Sequence, residues 1–305
     1  MGPQRGGFRR DSFAIAAFNG NTDDITSAFY TAGSGSLATI NTLLMSELYK
    51  PFQPTLTESG LKRFELLLEY SPSCDLLKDT VHSYLQVSAT KPTPYPIIPD
   101  GTQAVFISNC GSKISGAQSK AHDIQILQPG EYFGIRFYPG ALRHFFNVNV
   151  FEITDQFVDD QYFPCCDFSG LDARIYQGQN FRDRANICEQ WLLQYYRPQI
   201  ATRFDQALSW IYQSSGNIKI SQLAARVGWS SRQLNRLFRF HTGLSTKAFS
   251  QTIRFQQVCK QLYMKPGGSM AVANDLGFFD QSHLITDFKK YFKYSPSVFF
   301  ERYKT

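Results

Sequence analysis

Two stretches in the last hundred residues are versions of one another, and their shared glycine constrains the backbone more than any other feature of the chain. LAARVGWSSRQLNRLFRFHTGLS (223–245) aligns with VANDLGFFDQSHLITDFKKYFKYS (272–295). Gly228 matches Gly277 and Trp229 matches Phe278 at an offset of 49. After one inserted residue, Leu234, Phe238 and Ser245 match Leu284, Phe288 and Ser295 at an offset of 50. Each copy reads as a short helix ending in Val-Gly or Leu-Gly, a tight turn and a longer polar helix. A left-handed backbone position between two steeply crossing helices suits Gly, which adopts it at little cost. The chain therefore predicts two helix-turn-helix units.

In GWSSRQLNRLFRFHTG (228–243), a period of 3.6 puts Leu234, Leu237, Phe238 and His241 on one side. Arg232, Gln233, Asn235, Arg236 and Arg239 spread over the rest. The second helix of such a unit lies in the DNA major groove. There Arg can donate two hydrogen bonds to guanine, and Gln or Asn can bridge adenine. Arg232, Gln233 and Arg236 are candidate base readers, with Ser231, Asn235 and Arg239 nearer the phosphates. In the second copy Asp280 precedes a face made of Gln281, Ser282, His283, Thr286, Lys289 and Lys290. That face is less basic at its tip and is expected to position more than to read. Trp229 reads as core or as a phosphate donor, and Arg254 as an ion-pair partner or a phosphate contact.

A basic amphipathic helix alone is usually a solvated face; here the distribution of charge separates the two readings. From residue 203 onward there are 15 Lys or Arg against 5 Asp or Glu, while residues 1–202 carry 16 against 20. A net charge of +6 for 305 residues thus sits wholly in the last third, which suits a polyanion partner. Between the copies, LSTKAFSQTIRFQQVCKQLYM (244–264) reads as a long helix with apolar positions 249, 253, 258 and 262 and a stop at Pro266-Gly267-Gly268. About twenty helical residues span roughly 30 Å, close to the ~34 Å between successive major grooves on one side of the duplex.

The first two hundred residues differ in texture. Residues 1–55 show no sustained period and are treated as an extension of uncertain order. LKRFELLLEY (61–70) fits a strand or a helix. The four prolines within 92–99 exclude regular structure there, and Pro99-Asp100-Gly101 reads as a turn. From 101 to 138, short β-rich runs alternate with Pro, Gly and Asn, as in an antiparallel sandwich or barrel. ALRHFF (141–146) is expected to be a short helix, and FEITDQFVDDQYF (151–163) a strand or a helix. RANICEQWLLQYY (184–196) has Ile187, Trp191, Leu192 and Tyr195 on one stripe and reads as a connecting helix that stops before Pro198. The expected fold class is α+β. It comprises an N-terminal extension (1–55), a β-rich sensory or dimerisation domain (56–180), a connecting helix (181–202) and a double helix-turn-helix domain (203–305).

Two units joined by a long helix, with the ending SHLITDFKKYFKYSPSVFFERY, resemble the DNA-binding domain of the AraC/XylS family of bacterial transcriptional regulators. The resemblance covers about 203–303 and includes Asp275-Leu276-Gly277-Phe278 and Ser295-Pro296. More weakly, PDGTQAVFIS and EYFGIRFYPGAL resemble the β-sandwich sensory region of one branch of that family. The chain departs from the family pattern at Leu284 and Thr286, where Phe and Arg are usual. It departs again at Lys293, where a helix-ending Gly is usual and a side chain costs roughly 1 kcal/mol. Both departures fall in the second unit, which leaves the first as the expected source of specificity.

The reading is a sequence-specific transcriptional regulator, not an enzyme. Its expected partner is double-stranded promoter DNA; the resemblance adds RNA polymerase, with activation as the implied mode. A small-molecule effector and a homodimer are open, with Tyr132, Phe133, Phe137 and Tyr138 as candidate pocket residues beside the simpler reading that they are core. A front domain that only dimerises is an alternative. A cysteine-dependent DNA alkyl-transfer protein is another, but FPCCDF supplies no neighbouring His or Arg to activate a thiol and there is no four-Cys zinc cluster. No cofactor or metal is expected: the six cysteines lack C-x-x-C spacing, and His82, His122 and His144 form no close pair with a carboxylate. Vicinal Cys165-Cys166 reads as reduced rather than redox-sensing. With no apolar run of 18 residues, the expected location is the bacterial cytoplasm, nucleoid-associated and off the membrane.

Overall fold

The computed structural model describes residues 45–108, 111–159, 168–199, 202–264 and 269–303. Six strands form one antiparallel sheet in the order β1 (Leu66–Ser71), β2 (Val81–Ala89), β7 (Gly130–Phe137), β4 (Gln103–Ser108), β5 (Gly111–Ser115) and β8 (Phe157–Asp159). β3 (Thr93–Ile97) and β6 (His122–Ile126) pair separately. Successive side chains of a strand leave opposite faces of a sheet, and both faces of this one are apolar. Leu85, Val87, Phe106 and Tyr132 meet Tyr95, Ile97, Ile124 and Ile126 of the small sheet, which makes a sandwich. On the other face Tyr84, Ile107, Phe133, Ile135 and Phe137 meet helices instead of solvent. The main cover is α4 (Phe181–Tyr195), through Phe181, Ala185, Cys188, Trp191 and Leu192. The expected β-rich front is therefore a sheet held between a β ribbon and helices.

Several local expectations change. The proline-rich stretch expected to lack regular structure contains β3. Pro94 and Pro96 lie two apart, so their missing N–H groups fall on the same edge, while the alternate residues face β6. The outer edge is used through Pro96, whose carbonyl accepts from the Thr55 hydroxyl. LKRFELLLEY is both helix and strand: α2 (Glu58–Phe64) ends at Glu65 in the left-handed region (φ 53) and β1 follows at once. ALRHFF begins as a 3-10 turn, Ala141–His144, and FEITDQFVDDQYF divides into a 3-10 turn, Val150–Ile153, and β8.

Residues 1–44 of the expected extension lie outside the described residues, but its last part is firmly packed. After α1 (Met45–Leu48), Tyr49 and Phe52 are each 1% exposed. The Tyr49 ring stacks on Tyr212 at 4.7 Å, and its hydroxyl donates to the carbonyl of Asp100 at 2.7 Å. That aspartate is the centre of a buried polar knot. Its carboxylate takes Arg136 of β7, the Gln53 amide (2.5 Å), and the backbone and hydroxyl of Thr102 (2.9 and 2.6 Å). Arg136 is 1% exposed. Removing one partner of a buried pair strands the other charge in the interior. Asp100→Ala is accordingly expected to lower unfolding free energy by about 3–5 kcal/mol, as measured by urea denaturation of the full chain.

Candidate nucleic-acid interface

Downstream of α4, and of α5 (Arg203–Gln213), the chain forms the two expected units. The first is α6 (Ile220–Arg226) and α7 (Ser231–Thr242), joined through Gly228 at φ +66. The second is α9 (Ser269–Asp275) and α10 (Gln281–Phe292), joined through Gly277 at φ +70. α8 (Thr246–Met264) connects them and α11 (Pro296–Tyr303) closes the chain. Each long helix starts on a polar cap: the Gln233 N–H donates to Ser230 Oγ at 3.1 Å, and the His283 N–H to Asp280 Oδ1 at 2.7 Å. Leu234 and Phe238, and in the repeat Leu284, Phe288 and Phe292, are buried and anchor the helices. The turn of the second unit approaches the loop before the first: a Cβ on Gly277 would stand 2.5 Å from Asn217 Nδ2 of the α5–α6 loop.

What remains outward is polar. Ser231, Arg232, Gln233, Arg236 and Arg239 are exposed along α7, as are Ser282, His283, Thr286, Lys289 and Lys290 along α10, with Gln281 half-buried. Two positions have additional work. The Asn235 amide oxygen accepts from the Thr246 N–H at 3.2 Å and caps α8, which ties it to the frame. The Arg239 guanidinium lies 5.3 Å from the Phe151 ring of the front region. In the second unit, buried Asp287 takes Lys290 at 2.6 Å and Arg254 at 3.1 Å, and Arg254 also covers Phe278 at 4.3 Å. Arg254 therefore makes the structural ion pair, and the free positive charge of α10 is reduced. Lys293 ends α10 in the left-handed region (φ 54), the position where the sequence lacks the usual Gly.

The four candidate pocket residues are not brought together. Tyr132 and Phe133 are neighbours on one strand and must leave opposite faces. Tyr132 packs in the sandwich, whereas Phe133, Phe137 and Tyr138 join the helix-covered core, Phe133 against Phe181 and Phe137 against Phe145. Among the described residues no cluster of His, Cys, Asp and Glu could hold a metal, and Cys74, Cys188 and Cys259 are free thiols. Cys165 and Cys166 lie outside the described residues. No described helix is long and apolar enough to cross a membrane.

Sequence reasoning missed the docking of the front region on both units. Thr154 Oγ1 donates to the carbonyl of Gly243, the residue that ends α7, at 2.9 Å; a Cβ on Gly243 would stand 2.5 Å from that hydroxyl. Arg143 is ion-paired with Asp205 of α5 and lies over Phe204 at 5.0 Å. At the second unit the Ala121 N–H donates to the Tyr291 carbonyl at 2.7 Å, and Arg302 pairs with Asp123. In the middle, the buried Gln256 of α8 accepts from the Phe52 N–H (2.8 Å) and donates to the carbonyls of Phe52 (3.2 Å) and Pro99 (2.7 Å). Thr154 and Ala121 carry no pattern that would have marked them.

Residues 223–302 match the family described as a helix-turn-helix domain, and residues 68–159 match a domain of unknown function (DUF6597). An uncharacterized HTH-type transcriptional regulator of Haemophilus influenzae is 31% identical over 98 residues, 32% of this chain and 33% of that protein. The HTH-type transcriptional activator RhaS of Pectobacterium carotovorum is 27% identical over 90 residues, 29% of this chain and 32% of that protein. The chain spans about a third of the length of these curated relatives. Among solved structures, ToxT from Vibrio cholerae aligns over 78% of this chain and 98% of its own, with 10% identity and a TM-score of 0.37. Residues 223–302 are thus similar to a helix-turn-helix domain family, in agreement with the two units built by α6–α7 and α9–α10.

Two outcomes follow from the packing. His144 and His241 flank the Arg143–Asp205 pair, and burial, reinforced by Arg143, pushes both imidazoles down to about 4. An unfolded histidine takes up its proton near pH 6.5, so the unfolded chain binds protons first on acidification. Stability is expected to fall as pH drops from about 6.5 toward 4, and His144→Gln/His241→Gln should flatten that slope in urea titrations at a series of pH values. Lys293→Gly should raise stability by about 1 kcal/mol by relieving a left-handed cap, measurable as a higher Tm.

Proposed function

We propose that the chain is a sequence-specific, double-stranded DNA-binding transcriptional regulator whose first helix-turn-helix unit supplies most of the specificity. The observation that carries this reading is the asymmetry of the two exposed helix faces. α7 presents Arg232, Gln233 and Arg236 together at its start, each exposed, whereas α10 begins with Gln281, Ser282 and His283 and has Lys290 tied to Asp287. Arg and Gln are the side chains that can make paired hydrogen bonds to purine edges. Ser231 and Arg239 serve phosphates beside them, and Thr286 and Lys289 hold the second unit on the backbone. α8, 19 residues long and hence about 28 Å, is close in length to the ~34 Å spacing of consecutive major grooves, which supports one chain bridging both.

Activation through contact with RNA polymerase accompanies this reading, as does a cytoplasmic, nucleoid-associated location. One observation favours a front region that positions or dimerises over one that holds an effector between Tyr132, Phe133, Phe137 and Tyr138: those rings are packed into two separate cores. The test is direct. Duplexes are selected from a random library with the full chain, and affinity is measured by fluorescence anisotropy. Arg232→Ala is expected to weaken the selected duplex by about 1–3 kcal/mol and relax preference at one base pair. Unchanged affinity with an unchanged footprint would overturn the assignment.

A further inference from the structure

The repeat contains one residue in the second unit with no counterpart in the first, and the caps identify it. Gly228 and Trp229 precede Ser230, the cap of α7; Gly277 and Phe278 precede Phe279 and then Asp280, the cap of α10. Trp229 and Phe278 correspond at an offset of 49 and the two caps at 50, so the added residue is Phe279. It is 89% exposed, more than any other large apolar side chain among the described residues.

An apolar residue before a helix cap usually folds back onto the fourth helical position as a staple. Here that position is Leu284, which is fully buried, while Phe279 stays out. The backbone on both sides is pinned. Phe278 packs in the core edge-on to His283 (centroids 5.4 Å apart), the Phe279 N–H donates to His283 Nδ1 at 3.3 Å, and Asp280 caps α10. The phenyl ring is thus a preformed apolar tip at the amino end of a recognition helix whose outward face is otherwise Ser282, His283, Thr286 and Lys289. The recognition-helix amino end is the part that meets base edges. The apolar group on those edges in the major groove is the 5-methyl of thymine.

We infer that Phe279 is a specificity-determining residue that packs on a thymine methyl in the groove occupied by α10. This gives the second unit an apolar reader in place of the basic one carried by the first. The inference rests on the DNA-binding reading above. Its test uses the full chain and a duplex selected from a random library, in which each thymine is replaced in turn by deoxyuridine. Wild type is expected to lose about four-fold in affinity at one thymine, the factor that corresponds to burying one methyl-sized group. Phe279→Ala should lose affinity for the thymine duplex and become indifferent to deoxyuridine at that position, while Arg232→Ala keeps the methyl dependence. If Phe279→Ala retains the wild-type uridine profile, or if no thymine shows methyl dependence in wild type, the inference is overturned. Failure of wild type to select any duplex would instead overturn the DNA-binding reading itself. Loss of affinity that is equal for both bases at every position would assign Phe279 to packing or to a protein partner, and would also overturn it.

Discussion

The burial of α8 is the constraint on which the arrangement depends. A helix joining two helix-turn-helix units could lie exposed between them, but ten of its side chains are buried, Phe249, Ile253, Gln256 and Cys259 completely. Gln256 is the decisive group. An amide without partners in the interior is costly, and this one is satisfied only by the backbone of Phe52 and Pro99. That geometry fixes the segment after α1 and the Pro99–Gly101 turn against the middle of the helix. The same turn presents Asp100 to Arg136 of β7. One line of polar contacts therefore runs from the helix that spaces the two units to the centre of the large sheet.

The two units differ in where their charges lie. In α7 the arginines at 232 and 236 are exposed, and the buried side holds Leu234, Phe238 and Thr242, with no charged group among them. In α10 an aspartate sits on the buried side at 287, draws in Arg254 and Lys290, and converts potential phosphate contacts into internal supports. Lys293 in a left-handed cap adds strain to the same unit. The second unit is consequently held by its framework more than by ideal local geometry.

Much of this was legible in the sequence, and the limits have physical causes. Gly228 and Gly277 announced left-handed turns because few other residues tolerate that backbone, and the apolar positions 249, 253, 258 and 262 of α8 are all buried as their spacing implied. β3 was hidden because proline content argues against strands in general, while only the parity of Pro94 and Pro96 shows that one edge can still pair. For Tyr132, Phe133, Phe137 and Tyr138 the sequence left pocket and core open, and the alternation of a strand buried on both faces distributes them between two cores. The docking of the front region was invisible for a different reason. Many of its contacts use the carbonyls of Gly243 and Tyr291 and the N–H groups of Phe52 and Ala121, backbone groups that do not depend on the side chain.

Gln256 also bears on how such a chain can be taken apart. A fragment beginning near residue 203 would retain both helix-turn-helix units yet leave the Gln256 carboxamide without the backbone groups of Phe52 and Pro99 that satisfy it. Grafting a foreign reading domain onto this front half would present the carbonyls of Phe52 and Pro99 to whatever side chain replaces the glutamine. Modular exchange therefore requires an amide at this position of the spacer helix, beside the contacts that Thr154, Arg143, Ala121 and Asp123 make at the two ends of the seam.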